Sequence, residues 1–144
     1  MSQKTIDKAA KVISGKAGGG NEGYCVLALI DSEGFPTAST LSVSKADGIR
    51  EVTFCTGLDD NKALRIAACN RACVCFASEE YNISLVGTIE VLTDPEIKKE
   101  MWYEGLEYHF PGGALDPDYC VLRFQTTRYN LFFTDEYDVA AGTL

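Results

Sequence analysis

The chain has 144 residues with a formal net charge of -8, and 46% of its residues are hydrophobic against 24% charged. That length allows one domain to bury about two-thirds of the surface its unfolded chain would expose, and the balance excludes a disordered or fibrous protein. The acidic charge excludes general binding to nucleic acid or anionic membranes, which needs a basic face.

In MSQKTIDKAAKVISGKAGGG, Ile6, Ala9, Ala10 and Ile13 recur at helical spacing before SGKAGGG stops the helix, so residues 1–20 read as a helix and a Gly-rich loop. The segment lacks the apolar run of a signal peptide and nothing later approaches the ~20 apolar residues of a membrane span, so a cytoplasmic protein is expected. GYCVLALID and TASTLSVSK read as strands joined by the turn SEGFP into a hairpin. A turn at Ala46-Asp47-Gly48 leads to IREVTFCT, a third antiparallel strand. A helix from about Lys62 to Cys69 follows, then the strand ACVCFAS and the long strand NISLVGTIEVLTD, with Gly87 as a bend or bulge. Thr93-Asp94-Pro95-Glu96 has the capping residue, proline and acid of a helix start, and the helix is expected to run to about Tyr108. FPGGALDPD is a loop, YCVLRFQTTRYNLFF a final long strand or bent pair, and 134–144 a tail.

About six strands with three helices do not alternate as a doubly wound parallel sheet requires. The expected fold is mainly β (α+β): an antiparallel split β-barrel with a few flanking helices, in a single domain spanning 1–144. The chain has no GxGxxG, GxxxxGK[ST] or GxSxG motif. Six cysteines, at 25, 55, 69, 73, 75 and 120, lie mostly in apolar strand-like segments without CxxC spacing. They read as buried free thiols of a reducing compartment, and no metal site is expected. The single histidine, His109, reads as a surface or packing residue.

In TFCTGLDDNKALRIAACNR, Asn61 and Lys62 open a helix directly after an apolar strand. A lysine there opposes the helix dipole, whose N-terminus is already positive. Either the neighbouring Asp59 and Asp60 neutralise it as a solvated cluster, or it faces a bound phosphate, which strand-end hydroxyls and helix N–H groups would also hold.

In order along the chain, FPTASTLSV, VTFCTGLDDNKALRIAACNRACVCF, ISLVGTIEVLTDPEIKKEMW and FPGGALDPDYCVLRF resemble the pyridoxamine 5'-phosphate oxidase-like superfamily of FMN-binding split β-barrels over about residues 24–128. The FPGG and DPD loop is similar to the general-stress-protein branch. The resemblance implies a homodimer with two FMN sites between the subunits, and a small flavin oxidoreductase of unassigned substrate. It implies that Ala38, Ser39, Thr40, Leu41 and Ser42 lie beside the isoalloxazine ring, that Cys55, Thr56, Asn61 and Lys62 bind the phosphate, and that Asn82 reaches the flavin from the cleft. Many members have an arginine where Thr40 stands, and Arg65 or Arg71 would have to compensate. The arginine and histidine cluster of true pyridoxamine 5'-phosphate oxidases is missing near the C-terminus, so vitamin B6 oxidation is not expected. Tyr24, Tyr81, Trp102, Tyr103 and Phe110 either stack on the flavin or belong to the core. The alternatives are a deazaflavin site or a non-enzymatic dimeric module, with haem held by His109 or no ligand at all.

Overall fold

The computed structural model describes residues 2–18, 23–58 and 61–144. Asp59, Asp60 and the last glycines of the N-terminal loop lie outside them. In chain order the elements are α1 (Ser2–Lys16), β1 (Tyr24–Ile30), β2 (Pro36–Asp47), β3 (Glu51–Gly57), α2 (Asn61–Ala68), β4 (Arg71–Ala77), β5 (Tyr81–Leu92), α3 (Pro95–Met101), β6 (Tyr119–Phe133) and β7 (Asp138–Thr143).

Every strand pairing is antiparallel, in the order β3-β2-β1-β4-β5-β6-β7, and β3 also pairs with β6, so six strands close into a barrel. Closure removes the exposed edges that an open sheet would present. The long strand β6 serves twice: Tyr119 to Gln125 face β3, and Arg128 to Phe133 face β7. Alternation along each strand sends one set of side chains inward. Cys25, Leu27 and Leu29 of β1, Val74 and Phe76 of β4, and Leu122, Phe124 and Leu131 of β6 are thereby buried in the barrel. Burial pushes the Cys25 thiol up to about 12.

Helix α1 adds Ala9 and Ile13, both fully buried, to this core. Its outer side is tied to the β6–β7 turn: Lys8 reaches Asp135 and Asp138 at 2.9 Å each, and Lys4 reaches Glu136 at 2.7 Å. None of the helices among the described residues is long and apolar enough to cross a membrane.

The structure departs from the expectations above in three places. Residues 134–144 are not a tail: Asp138–Thr143 form β7, whose partner is the half of β6 that β3 leaves unpaired. Helix α1 continues through Gly15 to Lys16 and is stopped by Gly18 at φ 90°. Helix α3 starts as expected, with Asp94 accepting from Glu96 N–H at 2.8 Å. It ends at Met101 rather than near Tyr108, because Trp102 is extended, with its ring edge-on to Tyr119 at 5.2 Å. Gly105, at φ 104°, then turns the chain into a 3-10 helix, Leu106–Tyr108.

Gly87 marks the bulge its sequence position suggested. The pairing steps from Val86↔Arg128 to Gly87↔Thr126, so Thr127 has no opposite residue on β5. A Cβ at Gly87 would lie 1.9 Å from the Gln125 carbonyl oxygen. Two backbones must therefore separate to admit even alanine, and Gly87→Ala is expected to destabilise the fold by about 1–3 kcal/mol. Urea unfolding tests this as a lower midpoint with an unchanged slope.

Candidate cofactor cleft

Strands β2 and β3 pair only at one end. Val43 is opposite Phe54, the register then slips past Ser44, and Lys45, Ala46 and Asp47 pair with Thr53, Val52 and Glu51. The Thr53 hydroxyl repairs the break, accepting from Lys45 N–H at 3.1 Å and donating to the Lys45 carbonyl at 3.2 Å. In the other direction the strands part. Residues 36–42 stay on β1, while Cys55, Thr56 and Gly57 stay on β6.

The gap between them is a cleft of about 330 Å³, with Thr40, Leu41 and Ser42 on one side and Cys55, Thr56 and Gly57 on the other. Val43 N–H donates to the Gly23 carbonyl, which fixes the phase of the β1–β2 ladder. By antiparallel alternation the main-chain groups of Ala38, Thr40 and Ser42 then point away from β1, into the opening. An unpaired run of donors and acceptors at a strand edge is a template for a hydrogen-bonding partner.

Tyr24, Tyr103, Leu106, His109 and Phe110 form the remaining walls. The Tyr103 hydroxyl shares a hydrogen bond with Ser42, and burial holds its phenol above the usual range. Cys55 Sγ donates to the Met101 carbonyl at 3.3 Å and lies 3.4 Å from Tyr119 Oη. Burial raises the Cys55 thiol, so it is a poor nucleophile rather than an activated one. No carboxylate lines the cleft among the described residues.

The wall that carries Tyr103 to Phe110 is braced from behind. Buried Tyr119 donates to the Lys98 carbonyl at 2.8 Å. Lys98, also buried, donates from Nζ to the Asp116 carbonyl at 2.8 Å and lies over the Tyr119 ring. The Asp116 carboxylate accepts Gly112 N–H and Asp118 N–H, each at 2.9 Å, which ties the FPGGALDPD loop to itself.

Of the expected site residues, the structure brings Thr40, Leu41, Ser42, Cys55 and Thr56 together in this cleft. Ala38 lies further along the same face of β2, while Ser39, opposite Leu27, is half-buried on the inner face. Asn61 and Lys62 open α2; Asn61 lines a second depression that includes Arg65 and Asp31. Arg65 Nη1 donates to Thr37 Oγ1 at 3.0 Å, so this helix delivers a cation to the start of β2. Arg71 is on β4 and takes no part in either. Asn82 opens β5 and accepts from Cys75 Sγ at 3.5 Å, outside the cleft of its own chain. Tyr24, Tyr103 and Phe110 line the cleft, whereas Tyr81 packs on Phe133 and Trp102 on Tyr119. Gly57 and Leu106 were missed, and His109, read as a surface or packing residue or as a haem ligand, reaches the cleft because the brace from Lys98 and Asp116 holds its loop over the strand gap.

A barrel of six antiparallel strands, split between β2 and β3 with a cleft at the split, defines a split β-barrel. A family model described as pyridoxamine 5'-phosphate oxidase like matches residues 20–139, and the chain belongs to that family. No curated protein is matched by sequence. Among solved structures, one is a protein related to general stress protein 26 from Clostridium acetobutylicum, with TM-score 0.84 and 22% identity over 100% of this chain and 97% of that one. Another is the general stress FMN/FAD binding protein of Xanthomonas citri, at TM-score 0.76 and 17% identity over 99% and 97% of the two chains. A third is a heme binding protein from Mycobacterium smegmatis, at TM-score 0.69 and 17% identity over 96% of this chain but 57% of that chain.

The backbone N–H groups of Asp118 and Gly112 hold the Asp116 carboxyl below its usual range. A carboxyl whose folded pKa is depressed contributes stability above its unfolded pKa of about 4, and loses it as pH falls through the folded value. Stability measured by urea unfolding is therefore expected to decline as pH drops below about 4. Asp116→Asn should flatten that part of the profile and loosen the 110–118 loop in hydrogen exchange.

Proposed function

We propose that the chain is a small flavoprotein that holds FMN in the cleft between β2 and β3, and that the site is completed by a second copy of the chain. The observation that carries this reading is the open edge of β2. The dioxopyrimidine side of a flavin alternates acceptors with an N–H donor, and the main-chain groups of Ala38, Thr40 and Ser42 offer the matching set along one straight edge. Tyr24 and Tyr103 supply aromatic surface, and Leu41 an apolar one, against which the ring system packs.

At the other end of the ligand, Thr56, the opening of α2 and Lys62 hold the phosphate, which carries close to two negative charges. Arg65, drawn to β2 by Thr37, supplies the second cation that Thr40 cannot. When bound, FMN supplies the electron chemistry. The chain's residues orient it through the strand edge and keep bulk water from one face with the Tyr103–Phe110 wall. The braced thiol of Cys55 fills the base of the cleft as a neutral group. The expected activity is that of an FMN-dependent oxidoreductase. All six cysteines are free thiols, which suits a cytoplasmic protein.

The homodimer rests on the outer face of the sheet. Tyr24, Val26 and Ala28 of β1 share this face with Ala38, Thr40 and Ser42, and it continues through Cys73 and Cys75, Ser84 and Val86, Asn130 and Phe132 to Val139 and Ala141. The chain has 21 acidic residues, yet none stands in these rows. A broad flat face of small and apolar side chains on so acidic a protein is the composition of an interface core. Asn82 borders it, and from there reaches the flavin of the opposite subunit.

Haem is the second reading, favoured by His109 in the wall of the same cleft and by the heme binding relative. The absorption spectrum of the purified protein separates the two: flavin bands are expected, and a Soret band would overturn the FMN assignment.

Lys62→Ala should weaken FMN by about 1.5–3 kcal/mol, or roughly ten- to a hundred-fold, because it removes a charge-assisted contact. Riboflavin, which lacks the phosphate, should bind almost as before. Titrating both ligands by flavin fluorescence checks this, and equal FMN affinities or parallel losses would refute the phosphate assignment. In a separate test, Ser84→Glu with Ala141→Glu should convert a sedimenting dimer into a monomer and release FMN with it. A wild-type monomer at micromolar concentration would remove the shared site.

A further inference from the structure

We propose, resting on the flavin reading above, that the site is extended for a dinucleotide: the depression between α2 and the β1–β2 turn receives the adenylate half of FAD.

The depression measures about 320 Å³ and is lined by Asp31, Ser32, Asn61, Leu64, Arg65 and Ala68, a size within the range of small-molecule sites. Residues 61, 64, 65 and 68 follow helical spacing, so one face of α2 makes the whole of one wall. The opposite wall is the turn that joins β1 to β2, and it is held firmly. The Asp31 carboxylate accepts Glu33 N–H and Phe35 N–H at 2.9 Å each, and Asp31 N–H donates to the Phe35 carbonyl at 2.8 Å. None of the six lining residues stands in the sheet rows assigned to the dimer face.

The position of the depression relative to the cleft points to the ligand. Asn61 and Arg65 belong to the phosphate end of the flavin site and to the depression at once. Arg65 Nη1 donates to Thr37 Oγ1 at 3.0 Å, on the strand whose open edge faces the ring. A ligand that continues past the flavin phosphate along α2 therefore enters the depression. Lys62 and Arg65 are three residues apart on this helix, so their side chains start about 5–6 Å from each other. That spacing presents two cations in sequence rather than at one point, which suits two linked phosphates that carry one charge each.

The lining beyond Arg65 has the mixed character of a nucleoside site. Leu64, 72% exposed on α2, offers an apolar surface to a purine face, with Ala68 one turn further on. One Asp31 oxygen, Oδ1, is taken by the two backbone donors of its turn. The other adds acceptor capacity for ribose hydroxyls, the role that an acid plays in other dinucleotide sites. Ser32 and Asn61 supply donors and acceptors for the edge of the base.

The test is calorimetric titration of the flavin-stripped protein with FAD and with FMN. Wild type is expected to bind FAD about ten-fold more tightly than FMN. Leu64→Ser, at an exposed helix position, and Asp31→Asn, which keeps one acceptor oxygen for the turn, should each weaken FAD about five-fold and leave FMN affinity as it is. Equal affinities for the two flavins in wild type, as when a partner subunit covers the depression, overturn the adenylate subsite and leave the flavin reading standing. An FAD preference that persists in both variants, or FMN losses that parallel those of FAD, likewise overturns the subsite alone. Binding of neither flavin overturns both.

Discussion

The slip between Val43 and Lys45, which leaves Ser44 without an opposite residue on β3, is the constraint on which the rest of the molecule depends. Without it β2 and β3 would pair along their whole length, and a fully laddered barrel has no unpaired edge to offer. The slip is anchored from both sides: Ser44 Oγ donates to the Met101 carbonyl at the end of α3, and the Ser44 carbonyl accepts Gly18 N–H just beyond α1. Two peripheral helices are thus fastened at one bulge, which explains why so polar a residue is buried there. Past it, closure of β3 on β6 rather than on β2 converts a register fault into a cleft.

The chemistry of that cleft follows from what is fixed around it. Tyr119, buried among Cys55, Lys98 and Phe110, cannot lose its proton cheaply, since burial pushes its phenol far up. It acts as a neutral donor linking α3 to the floor of the cleft. Lys98 satisfies its charge on a carbonyl and an aromatic ring, and so positions the loop that carries His109 and Phe110. Rigidity is gained here by hydrogen bonding.

Charge is partitioned across the surface in a consistent way. The acids gather where they pair with α1 or cap turns, as Asp135, Glu136 and Asp138 do, and Asp31, which accepts Glu33 N–H and Phe35 N–H. On the outer face Glu51 and Glu90 stand beside Arg123, whereas the rows from Tyr24 and Ser42 to Val139 and Ala141 carry thiols, hydroxyls and small apolar groups but no acid. An acidic protein that keeps those rows free of acid can meet a second copy there without repulsion, while the remaining surface repels non-specific contacts.

Local patterns were sufficient for the individual elements. Period-two alternation in YCVLALI and VTFC gave strands, the Asp94-Pro95-Glu96 cap gave a helix start, and Gly87 gave a bulge, because each depends only on neighbours in the chain. The order of the motifs also carried the family and the five cleft residues from Thr40 to Thr56. What depended on distant partners was not legible. The strand at 138–143 has little pattern of its own and forms because β6 outruns β3. The early end of α3 is decided by the packing of Trp102 on Tyr119, and the arrival of Tyr103 and His109 at the cleft by hydrogen bonds from Lys98 and Asp116, residues that the sequence presents as ordinary surface charges.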